Sequence, residues 1–206
     1  MGHQVNDFML KYPFGATPLN TDEIAGLKLS YISTQNELNA AEQDNILQGE
    51  RWAFSKKRKE VLTEKFMRDL HKKMFGQVWR WAGSYRVTDK SIGVEWHNIP
   101  TEMNKLIGDV RYWITNEIYS MDEIATRFHH RLVWIHPFPN GNGRWARTMA
   151  DVLLVSMGYE RFTWGAGYSN KNLGEHSSIR EKYIHALQLA DAKKFDELLN
   201  FVRSKK

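Results

Sequence analysis

The chain of 206 residues is long enough to bury the core of one domain, and its 42% hydrophobic and 26% charged residues are ordinary for a globular protein. The absence of cysteine excludes a disulfide framework, a cysteine-ligated zinc site and thiol catalysis. The net charge of +5 is mild, and the short basic clusters that carry it are typical of solvated helix faces, so we expect no nucleic-acid partner.

The first residues contain no basic segment followed by an apolar run, so the sequence predicts no signal peptide. No later stretch is long and apolar enough to span a bilayer. With the lack of cysteine, these features lead us to expect a cytoplasmic protein without a membrane partner.

The N-terminal part is predicted to be an arm followed by two helices. Residues up to about Leu19 contain two prolines and two glycines and are expected to be extended. The segment Asn20–Glu23 has the pattern of a capping box before a short helix. A second helical run opens at Ser33, where Thr34 and Glu37 again form an S/T-x-x-E capping pattern.

A long helix is predicted from about Ser55 to Phe75, because apolar residues recur there every four positions opposite basic ones. The segments Gly83–Thr88 and Ile92–Trp96 are the only good strand candidates, and residues 89–91 between them suit a hairpin turn. Because a two-stranded ribbon is marginal in water, we expect this hairpin to lie on the helical body.

The rest of the chain is predicted to be helical, without repeats or a domain-splitting linker. The predicted helices are Thr101–Asn116, Met121–Ile135, Arg144–Met157, about Ser177–Ala190 and about Lys193–Arg203. The fold class is therefore predicted to be all-α, a single helical domain with one β-hairpin.

The stretch from Ile135 to Arg147 lies between two of these helices and combines a histidine, a glycine-bracketed turn and two arginines. Such a cluster is often only a turn. Here, however, backbone amides run into a helix N-terminus, which favours anion binding. Arg144 and Arg147 are three residues apart and can contact further phosphate oxygens. His136, at the entrance to this turn, is placed to move a proton.

These residues resemble the signature motif of the Fic family, in the order His136-Pro137-Phe138-x-x-Gly141-Asn142-Gly143-Arg144-x-x-Arg147. The segments Leu70–Phe75, Val78–Arg86 and Tyr183–Asp191 also resemble that family, so the similarity covers roughly residues 55–203. The resemblance implies an all-helical fold that binds a nucleoside triphosphate beside a catalytic histidine. It divides the chain into an N-terminal arm with inhibitory helices, residues 1–54, and a Fic core domain, residues 55–206.

The resemblance also implies an activity, the transfer of AMP from ATP to a Ser, Thr or Tyr hydroxyl of a target protein. His136 would be the general base. Backbone amides of Gly141, Asn142 and Gly143, with the Asn142 side chain, would hold the α- and β-phosphates. The two arginines would complete the site, Arg144 on the diphosphate and Arg147 on the γ-phosphate.

The hairpin around Val87 to Trp96 would dock the target segment by strand addition. The nucleotide would bring Mg²⁺ as its cofactor, and here the chain departs from the family pattern. Many members carry Asp or Glu before the first motif glycine, whereas this chain has Asn140, a neutral oxygen ligand. We therefore expect Mg²⁺ to be held mainly by the phosphates of ATP.

Glu37 has two interpretations. Its position three residues after Thr34 is explained by helix capping alone. However, Ser33-x-x-x-Glu37 also resembles the inhibitory motif of autoinhibited Fic proteins, whose Glu pairs with the second motif arginine, here Arg147. Leu38 stands where that motif has Gly or Asn. We expect Glu37 to inhibit, with Glu42 as the alternative carboxylate.

Three other functional interpretations remain open. His129, His130 and His136 invite a metal site, although no carboxylate lies at a partner spacing. The chain could also be a non-catalytic or weakly active nucleotide-binding module. Some branches of the family transfer a different phosphate-containing group. The sequence leaves the target and the oligomeric state open, a homo-oligomer included.

Overall fold

The computed structural model describes residues 17–55, 58, 60–166 and 178–204, and it is helical over these ranges. The helices are α1 (Thr21–Ile24), α2 (Gln35–Phe54), α3 (Glu64–Phe75), the 3-10 helix Trp96–Asn98, α4 (Ile99–Thr115), α5 (Met121–Ile135), α6 (Asn142–Ser156), α7 (Ser178–Asp191) and α8 (Asp196–Val202). None of the helices over these residues is long and apolar enough to cross a membrane.

The central pair of helices, α5 and α6, lies between two groups of apolar side chains. On one side they pack with α2, α3 and α4 around a core that includes Phe128, Leu132 and Trp145, all fully buried. On the other side they pack with α7 and α8 through Ala150 and Leu154. The loop from α5 to α6 is therefore held from both sides, which fixes the position of every residue in it.

The helix predicted from Ser55 to Phe75 is shorter in the structure. Helix α2 ends at Phe54, and α3 begins only at Glu64. Thr63 is the cause of the late start, because its backbone is extended and its hydroxyl accepts a hydrogen bond from the Phe66 amide at 3.2 Å. An N-cap of this kind satisfies an amide that has no partner inside the helix.

The predicted β-hairpin is wrong. Residues 83–98, which we call the flap, form no strand and end in the 3-10 helix. Two of their backbone amides bond the end of α5 and the loop after it. The Arg86 amide donates to the Pro137 carbonyl at 2.9 Å, and the Val94 amide donates to the Ile135 carbonyl at 3.3 Å. The two arms of the flap are thus tied to the α5–α6 loop.

Candidate functional site

His136 ends α5 in the left-handed backbone conformation (φ 53°, ψ 59°) and is buried. A non-glycine residue adopts this conformation only where its surroundings hold it there, and such residues concentrate at functional sites. Two residues after His136, the Phe138 side chain is fully buried and stacks on the His71 ring, with 3.6 Å between the ring centroids. Phe138 therefore anchors the loop in the core.

His71 fixes the other end of the loop. Its Nδ1 accepts the Gly83 amide at 3.0 Å, so the ring proton is on Nε2, which donates to the Asn140 carbonyl at 3.1 Å. Burial lowers the pKa of His71 to about 3, which keeps the ring neutral. This histidine was noted in the sequence only as part of the family resemblance, yet it joins α3, the flap and the loop.

Arg86 connects the flap to the α5–α6 loop. Its buried guanidinium donates to the His136 carbonyl at 2.8 Å, to the Thr88 carbonyl at 2.8 Å and to the Val94 carbonyl. The flap approaches the histidine so closely at Gly93 (φ 102°) that an added Cβ would lie 2.7 Å from the His136 Cβ. Arg86 thus replaces the missing strand ladder with side-chain hydrogen bonds.

Helix α6 begins at Asn142 without a side-chain cap, and Gly141 before it has φ 79°. A Cβ on Gly141 would lie 2.6 Å from the Phe75 ring, so no larger residue fits there. A Cβ on Gly143, in contrast, would meet nothing closer than 3.9 Å. The uncapped first turn of α6 next to this space can bind an anion.

The Asn142 side chain closes the α5–α6 loop. Its Oδ1 accepts the Phe138 amide at 2.9 Å and its Nδ2 donates to the Phe138 carbonyl at 2.8 Å. Both polar atoms of the buried amide are therefore used to close the loop. The backbone amide of Asn142 and its second Nδ2 proton remain for a phosphate.

Three guanidinium groups lie close together beside α6. Arg144 is 4.9 Å above the Phe75 ring, and Arg147 is 5.7 Å from the Tyr183 ring. Burial lowers the pKa of Arg180, and the charges of Arg147 and Arg144 lower it further. This shared effect indicates a concentrated positive potential, which suits a polyphosphate. The contribution of Arg180 was missed, because it lies on α7, far from the motif in sequence.

The inhibitory pairing predicted for Glu37 with Arg147 is not what the structure contains. The exposed Glu37 carboxylate accepts hydrogen bonds from the Ser33 amide (2.8 Å), the Ser33 hydroxyl (3.1 Å) and the Thr34 amide (3.0 Å). The Ser33 amide is the largest of the causes that lower the Glu37 pKa. These contacts agree with the capping interpretation of Ser33 and Glu37, which was the alternative to inhibition.

Glu42 is the carboxylate that reaches a motif arginine. One of its oxygens lies 2.6 Å from Arg144 Nη1, and the other accepts the Trp79 indole proton at 2.7 Å. Glu42 lies five residues after Glu37, which turns it by about 140° around α2. It shares the buried face of α2 with Leu38, so Glu42 faces the site and Glu37 does not.

Asn140 organises the loop from inside. Its Oδ1 accepts the Gly141 amide at 2.6 Å and lies 3.5 Å from Arg144 Nη2. Its Nδ2 donates to the Thr17 carbonyl at 3.2 Å. The side chain offers one neutral oxygen to a cation, and that oxygen already accepts two protons.

The proton state of His136 follows from its surroundings. Burial is the main cause that lowers its pKa to about 4, and the nearby charges of Arg86 and Lys90 also lower it. The ring is therefore neutral near pH 7. A neutral ring with its proton on Nδ1 can accept a hydroxyl proton at Nε2.

His129 and His130 have partners of their own. His129 Nε2 lies 3.0 Å from the Tyr183 hydroxyl, and His130 Nε2 lies 2.8 Å from Asp191. Over the described ranges no three His, Asp or Glu side chains are grouped as metal ligands. These contacts explain both histidines without a metal.

Fold and site together define a helical protein in which a neutral histidine lies beside the uncapped start of a helix and a cluster of arginines. Residues 61–154 match the model of the Fic/DOC family, the family that the loop motif resembles.

Two relatives named "Protein adenylyltransferase Fic" are similar to this chain. The one from Nematostella vectensis is 30% identical over 95 residues, which are 44% of this chain and 22% of the relative. The one from Drosophila virilis is 28% identical over 145 residues, 68% of this chain and 28% of the relative. The chain thus spans less than a third of the length of either relative.

Solved structures share the fold. The N-terminal Fic domain of Bep8 from Bartonella sp. 1-1C superposes with a TM-score of 0.67 at 15% identity, over 87% of this chain and 90% of that one. The Fic domain of a Bep effector from Bartonella quintana, solved with bound ADP, has a TM-score of 0.63 at 16% identity, over 84% and 86% of the two chains. BepC from Bartonella tribocorum, solved with bound AMPPNP, has a TM-score of 0.61 at 16% identity, over 85% and 90%.

Proposed function

We propose that this protein is a protein adenylyltransferase that transfers AMP from ATP to a Ser, Thr or Tyr hydroxyl of a target protein. The observation that carries the proposal is the neutral, buried His136 beside the uncapped start of α6 and its arginines. The relatives named adenylyltransferases, and the Bartonella structures with ADP and AMPPNP, support the nucleotide as substrate.

The triphosphate would lie at the start of α6. The backbone amides of Gly141 to Gly143 would bind the α- and β-phosphates, helped by the positive end of the helix dipole. Arg144 would bind the diphosphate and Arg147 the γ-phosphate, with Arg180 adding to the positive potential. In-line transfer of this kind depends more on positioning and charge neutralisation than on covalent catalysis.

His136 would remove the proton from the target hydroxyl. The oxygen then attacks the α-phosphorus, and pyrophosphate leaves. A histidine with a pKa of about 4 is a weak base, but the negative charge of bound ATP next to it would raise that pKa. The base therefore strengthens when the nucleotide is in place.

Mg²⁺ would arrive with ATP and offset phosphate charge. The donors present fit it only weakly, because Asn140 contributes a neutral oxygen already bonded to the Gly141 amide. The phosphates would supply most of the ligands. Asn140 would contribute one oxygen only after releasing Arg144.

The target would dock on the flap. Three apolar side chains project from the flap with large exposed fractions: Val87 (72%), Ile92 (46%) and Trp96 (42%). They lie on the same flap whose Gly93 approaches His136. A target segment covering them would bring its hydroxyl to His136.

Glu42 would restrain this activity, because it neutralises Arg144 and fixes its side chain. As long as Glu42 stays paired with Arg144, the protein would be a nucleotide-binding module of low activity, which is the alternative function. Displacement of Glu42 would release the activity. Transfer of another phosphate-containing group would use the same residues. The label that the target acquires distinguishes this alternative from the transfer of AMP.

Incubation of a cell lysate with labelled ATP, Mg²⁺ and purified protein tests the proposal. We expect wild type to label a protein and His136→Ala to label none. Equal labelling by both would reject the adenylyltransferase, whereas tight ATP binding without any labelling would favour the binding module.

A further inference from the structure

A hydroxyl of this chain already lies on the proposed base. Thr17 Oγ1 is 3.2 Å from His136 Nε2, although 119 positions separate the two residues. Both side chains are buried, and Thr17 has an exposed fraction of 7%. In the tautomer that carries the ring proton on Nδ1, the Thr17 hydroxyl donates and Nε2 accepts. This is the contact that a target hydroxyl needs before it loses its proton.

The backbone around Thr17 is held on both sides of the site. On the nucleotide side, the Thr17 carbonyl accepts a hydrogen bond from Asn140 Nδ2 at 3.2 Å. On the flap side, Lys90 Nζ donates to the Pro18 carbonyl at 3.0 Å, and Asn20 Nδ2 lies 3.4 Å from the Thr88 hydroxyl. Residues 17–20 therefore cross between the phosphate loop and the flap, where a target segment would lie.

A second contact fixes this crossing segment to the flap. Lys90 forms an ion pair with Glu23 of α1, and both side chains are almost completely buried. Glu23 in turn completes the capping box of α1 with Asn20. The position of Thr17 is thus set by α1 and the flap together, and not by the hydroxyl contact alone.

We propose that Thr17 is a site of self-modification, the acceptor of AMP transferred within the same chain. The bond that forms joins Thr17 Oγ1 to the α-phosphorus of ATP, and the bond that breaks joins that phosphorus to the oxygen bridging to the β-phosphate. Pyrophosphate leaves and the hydroxyl proton passes to His136 Nε2. This inference rests on the proposed function.

Intramolecular placement favours the reaction. A nucleophile held next to its base and electrophile reacts as if present at a very high concentration. The Thr17 hydroxyl needs no diffusional encounter, so its rate is expected to be independent of protein concentration. Transfer to another chain would slow in proportion to dilution.

The experiment is to incubate the purified chain with ATP and Mg²⁺ and to follow the mass of the intact protein, with peptide mapping of the product. Thr17→Val removes the hydroxyl and keeps the shape, Thr17→Ser keeps the hydroxyl, and Thr21→Val alters an exposed threonine nearby as the matched control. Thermal melting checks that the variants fold like wild type.

We expect wild type, Thr17→Ser and Thr21→Val each to gain one adenylyl group, and peptide mapping should locate it at position 17. The rate should not change when the protein is diluted about tenfold. Thr17→Val and His136→Ala should gain none. An adenylyl group on another residue, or a Thr17→Val protein modified as fast as wild type, would overturn the role of Thr17 while leaving the transferase intact. If lysate proteins become labelled while the chain itself stays unmodified, the role of Thr17 would be overturned in the same way. No transfer to any protein would reject the function and this site together.

Discussion

Glu42 is paired with Arg144, the arginine that we propose binds the diphosphate. Its carboxylate lies between Arg144 and the Trp79 indole, both within 2.7 Å. Glu42→Gln keeps an oxygen for Trp79 but removes the charge that holds the arginine. We expect ATP affinity to rise about tenfold, which corresponds to about 1.4 kcal/mol, the scale of one charge-assisted hydrogen bond. Calorimetric titration with ATP measures it.

Glu37→Gln is the matched control for that prediction. Glu37 is exposed and bonds only the backbone and hydroxyl groups of Ser33 and Thr34 in the hydrogen bonds described above. We expect its ATP affinity to equal that of wild type. An equal rise in both variants, or a rise in Glu37→Gln alone, would return the inhibitory role to Glu37.

Asn140 is predicted to determine the Mg²⁺ concentration that transfer requires. A carboxylate at this position would add charge attraction to the oxygen that the amide already provides. We therefore expect Asn140→Asp to reach half-maximal transfer at a lower Mg²⁺ concentration than wild type. The measurement is transfer rate against Mg²⁺ concentration at fixed ATP, and an unchanged midpoint would remove Asn140 from the metal site.

At the scale of elements, Arg86 holds the flap in place of a β-ladder. Arg86→Gln cannot make all three carbonyl contacts, so buried carbonyl groups lose their donors. We expect a loss of about 2–4 kcal/mol in the free energy of unfolding. Transfer to a target should fall more than tenfold, on the order of the effect of a misplaced reacting group. ATP affinity should stay close to that of wild type.

Hydrogen exchange of the flap amides and ATP titration test this prediction together. Arg80→Gln is the control, since Arg80 is exposed and lies only six residues earlier. If Arg86→Gln loses ATP affinity as strongly as transfer, Arg86 supports the phosphate loop and not the flap.

The helices were largely predictable, and the flap was not. Apolar periodicity placed α5 with both ends correct, because Ile124, Phe128 and Leu132 form one buried stripe. The alternating residues of the flap have the pattern of a hairpin. However, that pattern cannot reveal that the donors of Arg86 and Val94 bond a loop more than forty residues later.

At the scale of the whole molecule, buried histidines make folding depend on pH. Burial is the main cause that lowers the pKa of His71 and His129 to about 3 and of His136 to about 4. In the unfolded chain these groups have an ordinary pKa near 6.5. Between these values the unfolded state binds more protons, so stability is lost as the pH falls below about 6.5.

We expect the free energy of unfolding to fall between pH 7 and pH 5 by roughly 2 kcal/mol for each of the three histidines. Urea denaturation at both pH values measures it. His129→Gln should reduce the pH dependence by about a third. Equal stability at both pH values would mean that these rings are protonated or exposed in the native state.

The motif of the candidate site could be recognised in the sequence, but the long-range contacts of its residues could not be predicted. The motif identified His136, the glycine turn and both arginines, since these lie within thirteen residues. The two contacts on which the proposals rest join residues far apart, Thr17 to His136 across 119 positions and Glu42 to Arg144 across 102. Such pairs depend on how α1 and α2 pack on the core, and no local pattern encodes that.

The central claim is that the loop transfers the α-phosphate of ATP with its adenosine. The most direct measurement compares two samples of ATP, labelled at the α-phosphate or at the γ-phosphate, with the Glu42→Gln protein and a lysate. The account predicts protein-bound label from α-labelled ATP alone, and none with His136→Ala in the same background. Label from γ-labelled ATP, or α-label that persists without His136, would contradict it.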